Sequence, residues 1–65
     1  MSKQLNIKDI LDIAVLKEIE AQELYADLCN KSKSEAVKEA FQVLIRQERQ
    51  HQILLEKYRT GELKQ

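Results

Sequence analysis

A single polar break, residues 30–34, interrupts an otherwise continuous helical pattern in this chain. Apolar residues recur at spacings of three and four on both sides of the break, which is typical of amphipathic helices. The chain has no proline and its one glycine is Gly61, so nothing else in the pattern would stop a helix early. The sequence therefore predicts an all-α fold, an antiparallel hairpin of two helices joined by a short turn.

The expected helix ends follow from residues that cap helices. Asn6 is a suitable N-cap for a first helix over about residues 7–30, and Ser34 for a second over about residues 35–59. Ser32 and Glu35 offer a competing capping box, and Gly61 lies where the second helix should stop. Residues 1–65 should form this one hairpin. Residues 60–65 also read like the start of a connector, as in a hairpin that is the N-terminal half of a longer chain.

The short length of the chain predicts a partner. A domain of this size buries only about 60% of the surface that its unfolded chain exposes. Disulfides cannot compensate, because Cys29 is the only cysteine, so a metal or a second chain is expected. Each helix of a hairpin also leaves one side uncovered. Two hairpins should therefore dimerise into a four-helix bundle, which makes the protein at least a homodimer.

Composition and motifs exclude several classes of protein. Eleven Lys and Arg balance eleven Asp and Glu, so there is no basic excess to bind nucleic acid. The longest apolar run has four residues, too few to span a membrane. Glycine-rich phosphate loops, zinc-finger spacings and nucleophilic triads are absent from the sequence. One unpaired cysteine fits a reducing compartment, and we expect a cytoplasmic protein.

Two metal-ligating residues interrupt the apolar seam predicted for the second helix. Its positions alternate in steps of four and three: Val37, Phe41, Leu44, Glu48, His51, Leu55 and Tyr58. A buried carboxylate is unfavourable unless it is protonated, paired or bound to a metal. Glu48 and His51 are three residues apart and point the same way, so both can bind one metal ion.

Glu20 is the candidate ligand on the first helix. It lies about ten residues before the turn and Glu48 about fourteen after it, an axial offset of about four residues or roughly 6 Å. Long carboxylate side chains that flank two metal ions can span much of that offset. Mixed carboxylate and imidazole ligation suits iron or manganese, and zinc or cobalt can compete.

At these residues the chain resembles a known superfamily. Residues 20–25, Glu-Ala-Gln-Glu-Leu-Tyr, resemble the first-helix metal motif of the rubrerythrin and ferritin-like superfamily, in which a liganding Glu is followed by Ala and, five residues on, by Tyr. Residues 48–51 are similar to the Glu-x-x-His of its second helix. The resemblance covers about residues 10–60, and the two-helix encapsulated ferritins are similar in architecture. It implies metal ligation and catalysis by Glu20, Glu48 and His51, with Tyr25 as a hydrogen-bond donor behind them.

The resemblance implies a function as well. A ferritin-like, non-haem di-iron protein would oxidise Fe(II) with dioxygen or peroxide at a carboxylate and histidine site shared between two hairpins, as a ferroxidase or peroxidase-type oxidoreductase. Iron handling and peroxide defence are both open, and manganese or zinc are substitute metals. An alternative is a structural or interaction hairpin whose buried Glu and His fix pairing without redox turnover. Another is a half-chain that binds metal but has lost redox function without a second half.

Overall fold

The computed structural model describes residues 5–61, which form two antiparallel helices. Helix α1 spans Ile7–Lys31 and helix α2 spans Glu35–Arg59, and the part of the chain described contains no strand. The all-α hairpin is thus confirmed, and the predicted bounds differ from those observed by one residue, at the end of α1. The predicted connector, residues 60–65, lies mainly outside the described residues.

Side-chain caps begin both helices. Asn6 Oδ1 accepts a hydrogen bond from the Asp9 N–H at 2.8 Å, and Ser34 Oγ accepts one from the Val37 N–H at 3.3 Å. Each cap accepts a hydrogen bond from an N–H of the first helical turn, which has no backbone acceptor within its own helix. Both caps are those that the sequence predicts.

The connection and the final turn also have specific backbone interactions. Ser32 ends α1 rather than forming the competing capping box: its N–H donates to the Cys29 carbonyl at 3.2 Å, and its hydroxyl accepts from the Ser34 N–H at 3.1 Å. Gly61, with φ +81°, donates to the Tyr58 carbonyl at 3.1 Å after α2. Glycine suits this left-handed conformation because it has no Cβ.

The helices meet along a seam whose positions alternate in steps of four and three. Val15 and Cys29 are the only buried side chains within residues 5–61, and the other seam residues are half-buried. The smallest dimension of the chain, 12 Å, is one helix diameter, so the hairpin is a single layer. The seam positions are Leu11, Val15, Glu18, Gln22, Tyr25 and Cys29 on α1, and Lys38, Phe41, Ile45, Glu48, Gln52 and Leu55 on α2.

The seam predicted for α2 is therefore only partly right. Phe41, Glu48 and Leu55 lie in it, but the other four predicted members are exposed: Val37, Leu44, His51 and Tyr58. Each of these four comes one residue before a position that aligns with the seam, a rotation of 100° about the helix axis. The prediction merged two neighbouring stripes, one that faces α1 and one that faces away from it.

Both helices carry such a stripe on the same side of the hairpin. Two antiparallel helices are related by a two-fold axis perpendicular to the plane that contains them. Residues that come one position before a seam residue therefore point to the same face of this plane on α1 and on α2. We call this side the open face. It includes Ile10, Leu24 and Leu28 on α1 and Val37, Leu44, His51 and Tyr58 on α2, all of them exposed. A single hairpin leaves this apolar surface uncovered.

No helix within residues 5–61 has a stretch both long enough and apolar enough to cross a lipid bilayer.

The seam gives a first prediction about stability. Val15 is 4% exposed, so Val15→Ala should lower the free energy of unfolding by about 2 kcal/mol through lost burial and a cavity. Val43 on α2 is 43% exposed, and Val43→Ala should change the free energy of unfolding by less than about 0.5 kcal/mol. Urea denaturation of both variants at one protein concentration measures the difference. Equal losses would show that the seam is not the core of the hairpin.

Candidate metal centre

Three side chains that can bind a metal converge at the middle of the hairpin. Glu18 on α1 and Glu48 and His51 on α2 each offer one ligand atom, and these atoms lie within 4.8 Å of one another. His51 Nδ1 is 3.2 Å from Glu48 Oε1 and 3.7 Å from Glu18 Oε2. We call these three residues the metal group.

Helix geometry explains why these side chains meet. Glu18 lies thirteen residues before the last residue of α1, and Glu48 lies thirteen residues after the first residue of α2. Equal distances from a short connection place the two carboxylates at the same height. His51 follows Glu48 by three residues and belongs to the open face. The metal group therefore lies at the edge of the seam and borders the open face.

The two carboxyl groups interact as a pair. The neighbouring side chain of Glu48, followed by burial, raises the pKa of Glu18, whereas the side chain of Glu18 lowers the pKa of Glu48, with a further lowering by His51. Two carboxylates this close repel each other, which disfavours ionisation of Glu18 more than of Glu48. A divalent cation would offset the repulsion and favour ionisation of both.

The donors of the metal group fit a transition metal. Glu18 Oε2 is buried without a hydrogen-bond partner among residues 5–61, and a polar atom of this kind is unfavourable unless something satisfies it. A bound cation would do so. Carboxylate oxygens with an imidazole nitrogen are ligands that iron, manganese and zinc accept. Three ligand atoms leave coordination positions open, which a second hairpin or solvent would have to fill.

The predicted ligand Glu20 lies outside the metal group. Two residues along a helix correspond to a rotation of 200°, so Glu18 and Glu20 project from nearly opposite sides of α1. The carboxylate of Glu20 pairs with Lys17 Nζ at 3.4 Å, and its side chain is 52% exposed. The structure therefore brings Glu48 and His51 together and adds Glu18 to them. Ligation by Glu20 stays a prediction.

Two features of the sequence point to Glu18. It belongs to a series of residues spaced alternately by four and three, like those of the α2 seam: Leu11, Val15, Glu18 and Gln22. It also lies at the same height as Glu48 when counted from the helix ends, whereas Glu20 is offset from that height by two residues. Glu20 instead lies near the stripe that includes Ile13 and Leu16, which are exposed and face away from α2.

Tyr25 lies one heptad beyond Glu18, towards the connection. Its ring packs against Phe41 with 5.8 Å between ring centroids, and Phe41 lies one heptad before Glu48. The two half-buried rings therefore close the seam on the connection side of the metal group. Tyr25 forms no hydrogen bond within residues 5–61, so its predicted role as a donor behind the ligands stays a prediction.

The comparison with protein families agrees with this pattern of residues. The rubrerythrin family model matches residues 3–62, nearly the whole chain, and this family is part of the ferritin-like superfamily. The searches of curated proteins and of solved structures found no match. The resemblance read from the sequence is thereby confirmed, and the chain belongs to the rubrerythrin family.

Proposed function

We propose that this chain is a ferritin-like, non-haem di-iron protein whose metal site is shared between two hairpins. The observation that carries the proposal is the convergence of Glu18, Glu48 and His51 beside the open face. Membership of the rubrerythrin family implies iron binding in general terms. Two hairpins would supply four carboxylates and two imidazoles, the ligand set of ferritin-like di-iron bundles.

The arrangement of the open face supports pairing about a two-fold axis. Ile10 and Leu28 lie nine residues before and nine after Ile19, the midpoint of α1, and the metal group lies at the same height. A two-fold axis running across the helices at that height would place the open face against its own copy. The same operation would bring the two metal groups together and cover the apolar surface of a homodimeric four-helix bundle.

The residues of the site would each have a distinct task. Bound iron supplies redox chemistry, the passage of electrons from Fe(II) to dioxygen or peroxide. Glu18 and Glu48 would hold the cations as carboxylates. His51 would bind through Nδ1, the nitrogen that faces both carboxylates. Tyr25 and Phe41 would limit access of water from the connection side. Manganese or zinc could occupy the same donors.

Oxidation of Fe(II) by this site would serve iron handling or peroxide defence in the cytoplasm. The preferred oxidant separates these two purposes. Faster oxidation by hydrogen peroxide than by dioxygen favours peroxide defence, and the reverse order favours a ferroxidase.

A second candidate function is a structural hairpin in which the polar residues fix helix pairing without turnover. It is favoured by the contact of His51 Nδ1 with Glu48 Oε1 at 3.2 Å and by its approach to Glu18 Oε2 at 3.7 Å. These interactions satisfy much of the metal group without a metal. A polar group at a helix interface can specify register and oligomeric state.

Native mass spectrometry of protein reconstituted anaerobically with Fe(II) tests the first proposal against the second. We expect a dimer that binds two irons, and a dimer of His51→Ala that binds none, because the variant lacks the only imidazole of the chain. Persistence of the dimer in the variant is the control for folding. Wild-type dimers that take up no iron would contradict the di-iron proposal and support the structural hairpin.

A further inference from the structure

A hydrogen bond between two glutamine side chains crosses the seam beside the metal group. Gln22 Nε2 donates to Gln52 Oε1 at 2.7 Å, and both side chains are partly buried. Gln22 follows Glu18 by one turn, and Gln52 follows Glu48 by one turn. Because the helices run in opposite directions, the two glutamines lie on opposite axial sides of the carboxylate pair. The bridge between them therefore spans the height of the metal group.

Neighbouring polar groups fix the orientation of this bridge. Gln52 Nε2 donates to Glu56 Oε2 at 3.1 Å, so its carbonyl oxygen is directed to Gln22. Arg59 in turn donates to Asp12 Oδ1 at 3.2 Å and lies 4.0 Å from Glu56 Oε2. The amide of Gln52 is thus held from both sides, by α1 and by its own helix, and cannot rotate without losing a hydrogen bond.

We infer that the Gln22–Gln52 bridge is a positioning element that sets the register of α1 against α2 so that Glu18 faces Glu48 across the seam. This inference rests on the proposed metal-binding function and adds two residues to it. A seam made only of apolar side chains tolerates axial slippage, whereas a paired polar group does not, because slippage would leave a partly buried amide without a partner. The required register is the one in which the metal group forms.

The bridge also closes one side of the metal group. Its two residues lie in the same seam as Glu18 and Glu48, whereas His51 lies on the open face. A leucine in each position would keep the volume and remove the hydrogen bond. The metal ligands would then lose a directional restraint, while the hairpin would gain apolar contact.

The double variant Gln22→Leu/Gln52→Leu tests the inference. Removal of both partners is expected to leave the resistance to urea unchanged or higher, since neither amide is left unpaired. The affinity for Co(II), used as a spectroscopic probe, should fall by about 10-fold or more with a change in its visible absorption bands. Gln42→Leu/Gln50→Leu is the matched control, because both residues are exposed positions of α2 outside the seam and the open face. It should bind Co(II) like the wild type.

Hydrogen exchange of the side-chain amides gives a second test without metal. The amide protons of Gln22 and Gln52 should exchange more slowly than those of Gln42 and Gln50. Equal exchange rates, or a double variant with unchanged Co(II) affinity and spectrum, would overturn the inference while leaving the proposed function standing. Wild-type protein that binds no Co(II) would overturn both.

Discussion

Glu18→Ala should lower the affinity of the protein for divalent metal by more than about 100-fold. Loss of a residue that hydrogen-bonds to a metal ligand typically lowers the affinity about 10–100-fold, and loss of a direct ligand should lower it further. Glu18 Oε2 is the buried atom without a hydrogen-bond partner in the metal group, so its carboxylate has most to gain from a cation. The same substitution removes one of two competing carboxyl groups. The metal-free protein should therefore stay folded and become no less stable.

Two further variants on α1 make this measurement decisive. Glu20→Ala tests the ligand predicted from the sequence, and Glu23→Ala is the control, since Glu23 is exposed and has no partner among the described residues. Titration calorimetry with Zn(II) and circular dichroism separate metal affinity from folding. We expect Glu20→Ala to behave like Glu23→Ala. Loss of binding in Glu20→Ala and its retention in Glu18→Ala would reverse the assignment in favour of the original prediction.

Leu44→Arg should convert the assembled protein into single hairpins. Leu44 lies on the open face and is 37% exposed in one hairpin, so a guanidinium there would be desolvated against a second copy without a compensating charge. Because so little of one hairpin is buried, the loss of pairing should lower the melting temperature by ~10 °C or more. Sedimentation velocity gives the oligomeric state, and a thermal melt gives the stability.

Ile53→Arg is the matched control on the same helix. Ile53 follows Leu44 by nine residues, a rotation of 900°, and therefore projects from the opposite side of α2. Its exposure, 40%, is nearly the same. This variant should remain assembled and bind metal like the wild type. Dissociation by Ile53→Arg alone would show that the hairpins pair through the other side, and dissociation by neither would contradict pairing through the open face.

The fold was predictable because its determinants are local. The polar break, the caps Asn6 and Ser34 and the stop at Gly61 each act within a turn of the helix end that they define. None of them depends on how the two helices face each other. Their positions in the sequence were therefore sufficient to predict the hairpin.

The orientation of the helices was harder to predict. Each helix carries two adjacent apolar stripes separated by 100°, and spacing alone does not say which stripe faces the other helix in the same chain. For α2 the prediction mixed Leu44 and His51 with Glu48. For α1 it selected Glu20 on one side of the helix, while Glu18 projects from the other. Symmetry of height about the connection favours Glu18, and ligation by Glu20 stays a prediction.

The near absence of a buried interior links metal binding to the abundance of the protein. Val15 and Cys29 are the only buried side chains within residues 5–61, so most of the apolar contact open to this chain would have to form with a second copy. If ligands from two hairpins share the metals, metal binding and dimerisation are linked. Bound metal must then raise the affinity of the hairpins for each other by the same factor by which dimerisation raises the affinity for metal. Dilution would then release iron and separate the hairpins in one coupled equilibrium. The concentration of the chain would itself set how much iron it retains.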